Sequence, residues 1–321
     1  MKRYRDLNTT LRERFGERVQ KISLDAGLGC PNRDGTLSTE GCIFCDSRGS
    51  GTGAKINRGM SIDQQILKAK RFIEQRYKAK KFIAYFQSFT NTYAPVPRLK
   101  ALYDRALAHE GMVGLSVATR PDCVDTDILS LLAAYKSRYL VWIEYGLQSA
   151  HDATLKTINR GHDVACFEGS VLMARTWGLN ICAHVILGLP GESPKMIRET
   201  ARFLSNLPVQ GVKIHLLYVV EGTALARRYQ RGEFQCLERD EYAELVVDFL
   251  ERIPSHMVIH RLTGDPVRSE LIAPSWAQEK ARNLHYIQEK LERKNTWQGR
   301  LCGTSTDRTA SRGASTPIGL A

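Results

Sequence analysis

The sequence predicts an α/β fold built on parallel strands, and three observations predict it. Short β-like apolar runs alternate six times with stretches of helical period. Six strand–helix units in succession imply parallel strands joined by right-handed crossovers. The 321 residues, 43% hydrophobic and 25% charged, suffice for a large core and exclude the composition of a disordered chain. Periodicity alone does not choose between a barrel and a doubly wound sheet. Both place their chemistry in the loops after the strands.

The strands are read at Val19–Leu24, Phe82–Gln87, Val113–Ala118, Leu140–Tyr145, Ile181–Leu187 and Val212–Val219. Ser61 caps a helix with Ile62, Ile66, Ala69 and Ile73 on one face. Asp125 precedes a helix carrying Ile128, Leu131, Leu132 and Tyr135. Asp163 opens another that Gly178 closes. Ser193 and Pro194 supply a cap and a first-turn proline ahead of Met196 and Ile197. After Tyr229 the pattern changes to a helix near Asp240–Arg252, a strand-like run Met257–Leu262 and a last helix near Ser275–Arg293. The domain reading is a basic N-terminal extension at 1–18, a core at 19–230, a C-terminal extension at 231–299 and a disordered tail at 300–321.

Formal net charge is +12. Lys68–Lys81 holds seven Lys/Arg against the one acid Glu74, and the first 21 residues hold seven basic and three acidic side chains. Such stretches are either solvated helix faces or a footprint for a polyanion. The N-terminus lacks the apolar core of a secretory signal, and no apolar run approaches the ~20 residues of a membrane span. The expectation is a cytoplasmic protein without membrane contact.

The most informative segment is CPNRDGTLSTEGCIFC, directly after the first strand. Eleven residues separate Cys30 from Cys42, and two separate Cys42 from Cys45. A CxxC pair sets two thiolates about one turn apart, and Pro31, Asp34, Gly35 and Gly41 let the loop bring in a third. Structural zinc takes four ligands, so three cysteines fit either an iron–sulfur cluster with an open iron or zinc completed by a distant residue. Cys123, Cys166, Cys182, Cys236 and Cys302 are scattered and read as buried or incidental thiols.

With YFQSFTNTYAP at 85–95, IEYGLQSAHDATLKTINRGH at 143–162 and ILGLPGES at 186–193, this loop resembles the radical S-adenosylmethionine (SAM) superfamily. LTGDPVRSELIAPSW at 262–276 and TWQG at 296–299 fit its YhcC/YtqA-like family, which shares the long cysteine spacing in place of the usual CxxxCxxC. The likeness covers about residues 3–299. It implies a partial (βα)6 TIM-type barrel with a C-terminal extension. It also implies a [4Fe-4S] cluster on Cys30, Cys42 and Cys45, where SAM is cleaved to methionine and a 5′-deoxyadenosyl radical that takes hydrogen from a substrate.

The resemblance implies further roles residue by residue. Phe44 matches an aromatic position beside the SAM adenine; otherwise it is a core ring. Gln148 and Arg160 match polar positions that contact SAM in coproporphyrinogen-dehydrogenase-like relatives, and Arg160 suits a carboxylate. A helix-capping surface arginine is the plainer reading. Glu144 ends the fourth strand, where a ribose contact is open to it. In the second-strand loop Ser88-Phe89-Thr90-Asn91-Thr92 stands where relatives carry a Gly-Gly-Glu-like run. Arg120 either binds an anionic substrate group or pairs with Asp122. Gly49, Gly51 and Gly53 lack the lysine of a phosphate loop and read as a flap. His162, His184 and His215 are mouth residues or satisfied structural ones. The related elongator catalytic-subunit branch acts on tRNA wobble uridines, so tRNA is the expected substrate, with flavodoxin or ferredoxin as electron donor. A small anionic metabolite is the second reading, and a non-enzymatic metal protein that binds nucleic acid is the third.

Overall fold

A computed structural model describes residues 2–47, 49 and 59–303. The strands are β1 (Val19–Leu24), β2 (Lys81–Phe86), β3 (Met112–Thr119), β4 (Leu140–Gln148), β5 (Asn180–Leu187), β6 (Gly211–Leu216), β7 (Val219–Val220), β8 (Val258–Arg261) and β9 (Leu271–Ala273). All but β7 and β9 join one parallel sheet in the order β1-β2-β3-β4-β5-β6-β8. The crossover helices are α2 (Ile62–Tyr77), α3 (Val96–Leu107), α4 (Thr126–Ala134), α5 (Asp152–Thr157) with α6 (Val164–Thr176), and α7 (Pro194–Ser205). Before β1 lies α1 (Leu7–Phe15), and α8 (Ala224–Gln230), α9 (Arg239–Arg252) and α10 (Lys280–Arg293) complete the described helices.

Helix starts follow from their caps. Ser61 and Gln64 close a reciprocal box at α2, Gln64 N donating to Ser61 Oγ at 3.3 Å and Ser61 N to Gln64 Oε1 at 2.9 Å. Asp125, Asp163 and Ser193 accept from Ile128 N, Cys166 N and Met196 N at 2.9, 2.8 and 3.4 Å. Each satisfies a backbone donor that the first turn leaves unpaired.

The strands obey a period of two. On β4, Val141, Ile143, Tyr145 and Leu147 pack in the core shared with the helices, while Leu140 and Trp142 face the other way. The second face gathers Leu11, Val19, Ile83, Cys182 and Val258 around them. That inner cluster draws on β1 and β8, the two edges of the sheet, so the sheet curls into a half-barrel. Leu11 of α1 plugs the end where the strands begin; it is 3% exposed, and such burial contributes roughly 1.5–3 kcal/mol.

The barrel has seven strands where the sequence pattern gives six. The run near Met257–Leu262 pairs parallel with β6 instead of lying on the core as part of an extension. Its outer edge is met in turn by the N-terminal segment, Ile259 N donating to Arg5 O at 2.8 Å. The sixth strand is shorter than read, because after Leu216 the chain turns away and Val219 and Val220 pair antiparallel with β9. The last helix is split into a 3-10 turn, Ser275–Gln278, and α10. Lys290 of α10 reaches back to α9, donating to Asp240 Oδ1 at 2.8 Å and Glu244 Oε2 at 2.9 Å. Gly51, Gly53 and positions 304–321 lie outside the described residues. No described helix is long and apolar enough to cross a membrane.

Candidate active site

The loop after β1 is held from several sides. Arg33 N and Asp34 N donate to Cys30 O at 2.8 and 3.2 Å, and Cys45 N donates to Cys42 O at 3.0 Å. Arg33 crosses the loop to give Nη2 to Cys45 O at 2.6 Å. Gly41 has φ 73°, and a Cβ there would stand 2.8 Å from Arg33 Nε, so only glycine lets the arginine pass. Ile43 is strung between two elements, its N donating to Ile158 O at 3.1 Å and its O accepting from Leu225 N at 2.8 Å. Asn159 Nδ2 donates to Gly41 O at 2.8 Å, and Asn32 Nδ2 donates to Asn159 O at 2.6 Å. The outcome is that Cys30, Cys42 and Cys45 line one cavity at the C-terminal mouth of the strands.

Two arginines brace that mouth. Arg160, 7% exposed, donates to Gly146 O through Nη2 at 2.8 Å and Nε at 3.3 Å, and to Cys42 Sγ through Nη1 at 3.7 Å. A Cβ on Gly146 would lie 2.5 Å from Arg160 Nη2 and 2.6 Å from Gln148 Nε2, so the bare backbone makes room for both. Gln148 itself sits at φ 75°, at a register break of β4 against β5. Arg120 grips Asp122 with both prongs, at 2.8 and 2.7 Å, and gives Nη1 to Arg160 O at 2.8 Å. Burial favours a neutral Asp122, yet the Arg120 fork wins and holds its carboxyl below the usual range. Of the two readings of Arg120, pairing with Asp122 is the one observed. Burial, followed by the Arg160 charge, drives His162 down to about 3, so it is neutral at ordinary pH.

The loop after β2 leaves acceptors and donors open. Thr90 lines the cavity, and its sealed hydroxyl meets no partner; Ser88 is in the same condition. Phe44 also lines the cavity and packs against the apolar cluster that includes Leu155, Ile158 and Ile186.

Beneath the mouth the barrel lumen is polar. Glu144 is fully buried and uses both oxygens. Lys21 Nζ donates to Oε1 at 2.5 Å, Ser116 adds a short bond to the same atom, and Oε2 accepts from Lys213 Nζ at 3.0 Å and His184 Nε2 at 2.7 Å. Lys213 also donates to Tyr85 Oη at 2.6 Å, and His260 Nδ1 lies 3.7 Å from Oε1. Burial alone would raise Glu144; Lys21, Lys213 and His184 overcome it and keep the carboxylate ionised. Burial lowers Lys213 to about 8 and His184 to about 4, against the opposing pull of Glu144. Glu144, Cys182 and His184 present ligand atoms within 4.8 Å of one another. Two ammonium groups already hold that carboxylate and burial pushes the Cys182 thiol well up, so the trio is a polar floor rather than a metal centre. The sequence reading left a ribose contact open to Glu144. Its oxygens are committed inside the barrel.

The three cysteines, Phe44, Gln148 and Arg160 thus share one cavity with Glu144 at its floor. Sequence reasoning missed Lys21, Tyr85, Lys213, His260 and Arg261. For Lys21, Tyr85, Lys213 and His260 the signal was a polar residue at the inward alternate of a strand, visible only once the sheet is known to curl; Arg261 reaches the cavity through a register shift of β8 against β6 that no local pattern announces.

The donor set fits one of the two groups that the cysteine spacing left open, an iron–sulfur cluster with an open iron. Three cysteines line one cavity with no fourth from the chain among its lining residues, two donors address Cys42 Sγ, and the unpaired Thr90 hydroxyl belongs to the same lining. Comparison with known proteins agrees. The Radical SAM superfamily profile matches residues 27–204, and the Radical_SAM C-terminal domain matches 209–293. YtqA of Bacillus subtilis is 44% identical over 300 residues, spanning 94% of this chain and 93% of that protein. A tRNA uridine(34) acetyltransferase of Dehalococcoides mccartyi is 30% identical over 166 residues, 49% of this chain and 34% of its own length. Among solved structures, Elp3 of Methanocaldococcus infernus matches 87% of this chain and 64% of its own, with TM-score 0.63 and 18% identity. That last likeness shows the fold alone.

Proposed function

Since the chain belongs to the radical SAM superfamily, whose enzymes use a [4Fe-4S] cluster and SAM, we propose that Cys30, Cys42 and Cys45 ligate its cluster. The observation that carries this is the placing of all three thiols on one cavity by a loop braced from α5 and α8. Held by those three thiols, the cluster would supply one-electron reduction of SAM, the chemistry by which this superfamily generates a 5′-deoxyadenosyl radical. Gln148 and the free edge of Arg160 hold SAM, with Thr90 offering its hydroxyl and Phe44 covering the adenine. Arg120 acts through Arg160, fixing its backbone. Glu144 fixes Lys21, Lys213 and His184 under the reacting atoms and touches no cofactor. A one-electron donor such as flavodoxin or ferredoxin completes the system, and a cytoplasmic setting keeps the eight cysteines reduced.

For the substrate we propose tRNA, modified at a wobble uridine. The Dehalococcoides relative carries this reading, with support from the basic face of α2. Lys68, Arg71 and Arg76 are exposed on that helix, and Lys78 and Lys80 are exposed just past its end. That helix runs away from the mouth over ~24 Å, a distance a tRNA spans easily.

Anaerobic reconstitution is expected to give about four iron atoms per chain and SAM cleavage, both lost in Cys42→Ala and kept in Cys236→Ala. Full SAM cleavage by Cys42→Ala would end the cluster assignment. Mass spectrometry of tRNA nucleosides, with and without the gene, tests the substrate. An unchanged nucleoside set would turn the reading to the small anionic metabolite.

A further inference from the structure

The floor of the cavity carries more positive charge than its own walls neutralise. Glu144 answers Lys21 and Lys213. Arg261, at the end of β8 and opposite Lys213 in register, has no such counterpart. It is half-buried and lines the cavity, and it makes no hydrogen bond or ion pair with any described residue. Its neighbour His215 is equally unserved. The Nε2 atom is sealed from solvent with no partner, and the ring stands 5.2 Å from that of His184. Burial and the His184 ring drive His215 well below its usual range, so it offers a neutral N–H rather than a further charge.

A half-buried guanidinium that lines a cavity without a protein partner presents its fixed N–H donors to whatever enters, and five such donors define what would match it. A group with two or three oxygens sharing a negative charge matches that fork. Arg120, the arginine that the sequence offered for this task, has its prongs on Asp122 and the Arg160 carbonyl. The task falls to the other side of the cavity.

We infer that Arg261 and His215 anchor a carboxylate or phosphate group of the molecule that receives the radical, and so set which of its hydrogens faces the cleaved SAM. This rests on the radical SAM reading. Tyr218 completes the wall, its ring fixed where Gly264 lets it approach, a Cβ there lying 2.7 Å from its Cε1.

The test uses the reconstituted holoprotein saturated with SAM. Sodium acetate and sodium phosphate are titrated separately against sodium chloride at constant ionic strength, with heat of binding and melting temperature as readouts. Wild type should bind at least one of the two saturably. Arg261→Gln should weaken that binding at least tenfold while retaining iron and SAM affinity, and Arg261→Lys should recover part of it. A response to acetate alone assigns a carboxylate, and to phosphate alone a phosphate. No saturable binding by wild type, or undiminished binding by Arg261→Gln, overturns the anion site. Failure of the wild type to hold iron or bind SAM would instead overturn the radical SAM reading.

Discussion

The Nη1 of Arg160 lies 3.7 Å from the sulfur of Cys42, although 118 residues separate the two in sequence. One guanidinium therefore joins the cysteine loop to the end of β4, and it is positioned by Arg120 from behind.

The first prediction follows from that bridge. Arg160→Ala should keep its iron and lose SAM affinity by ~1.5–3 kcal/mol, the range of bonds to charged groups. Anaerobic equilibrium dialysis with labelled SAM measures it. Iron loss with unaltered SAM affinity would make Arg160 a brace of the cysteine loop only.

Glu144→Gln should destabilise the fold. Two lysines would face a neutral amide in a sealed lumen, and breaking a buried pair costs ~3–5 kcal/mol. Lys21 is 16% exposed, which places the expected loss at the lower end. Urea unfolding of the anaerobic protein checks it. A loss within the ~0–1 kcal/mol of surface pairs would show that the lumen admits water freely.

Acid should act through His184. Its ring takes a proton near 6.5 in the unfolded chain and only near 4 in the fold, because burial and then Lys213 disfavour the cation. The unfolded state binds more protons between those values, so stability falls as pH drops from about 6.5 to 4. The full shift corresponds to about 3 kcal/mol. The stability difference between unfolding curves at pH 7 and pH 5 should be smaller in His184→Gln than in wild type. Parallel behaviour of the two would refute the assignment.

The basic face of α2 gives a salt-dependent prediction. Lys70 is unsuited to the test, since its Nζ donates to Glu110 O at 3.0 Å and lies over the Phe82 ring. Reversing Lys68, Arg71, Lys78 and Lys80 to Glu should weaken tRNA binding and flatten its dependence on salt by about 0.7–0.9 in log–log slope per phosphate lost. Iron and SAM binding should not move. Filter binding at several salt concentrations supplies the data, and an unchanged slope would remove this helix from the interface.

Local chemistry was legible in the sequence wherever it acts over a few residues. β1 runs from Val19 to Leu24 in pattern and structure alike, and the caps at Ser61, Asp125, Asp163 and Ser193 stand where side-chain type and helical period put them. The cysteine loop was legible because its three thiols lie within sixteen residues. The lumen was not. Lys21 and Glu144 are 123 residues apart, and nothing local says that the sheet curls enough to bring β1 against the floor of β4. The seventh strand was hidden for the same reason, since Met257–Leu262 reads as a short run whose partner is set by tertiary packing.

The left-handed Gln148 has a bearing on how this protein can change. A glycine would rest at φ 75° without strain, whereas glutamine there costs on the order of 1 kcal/mol. Gln148→Gly is therefore expected to relax the backbone while removing from the cavity the amide proposed to hold SAM, setting thermal robustness against SAM affinity at a single codon. Under the proposed role, selection for heat tolerance alone would favour glycine at this position at the expense of SAM binding.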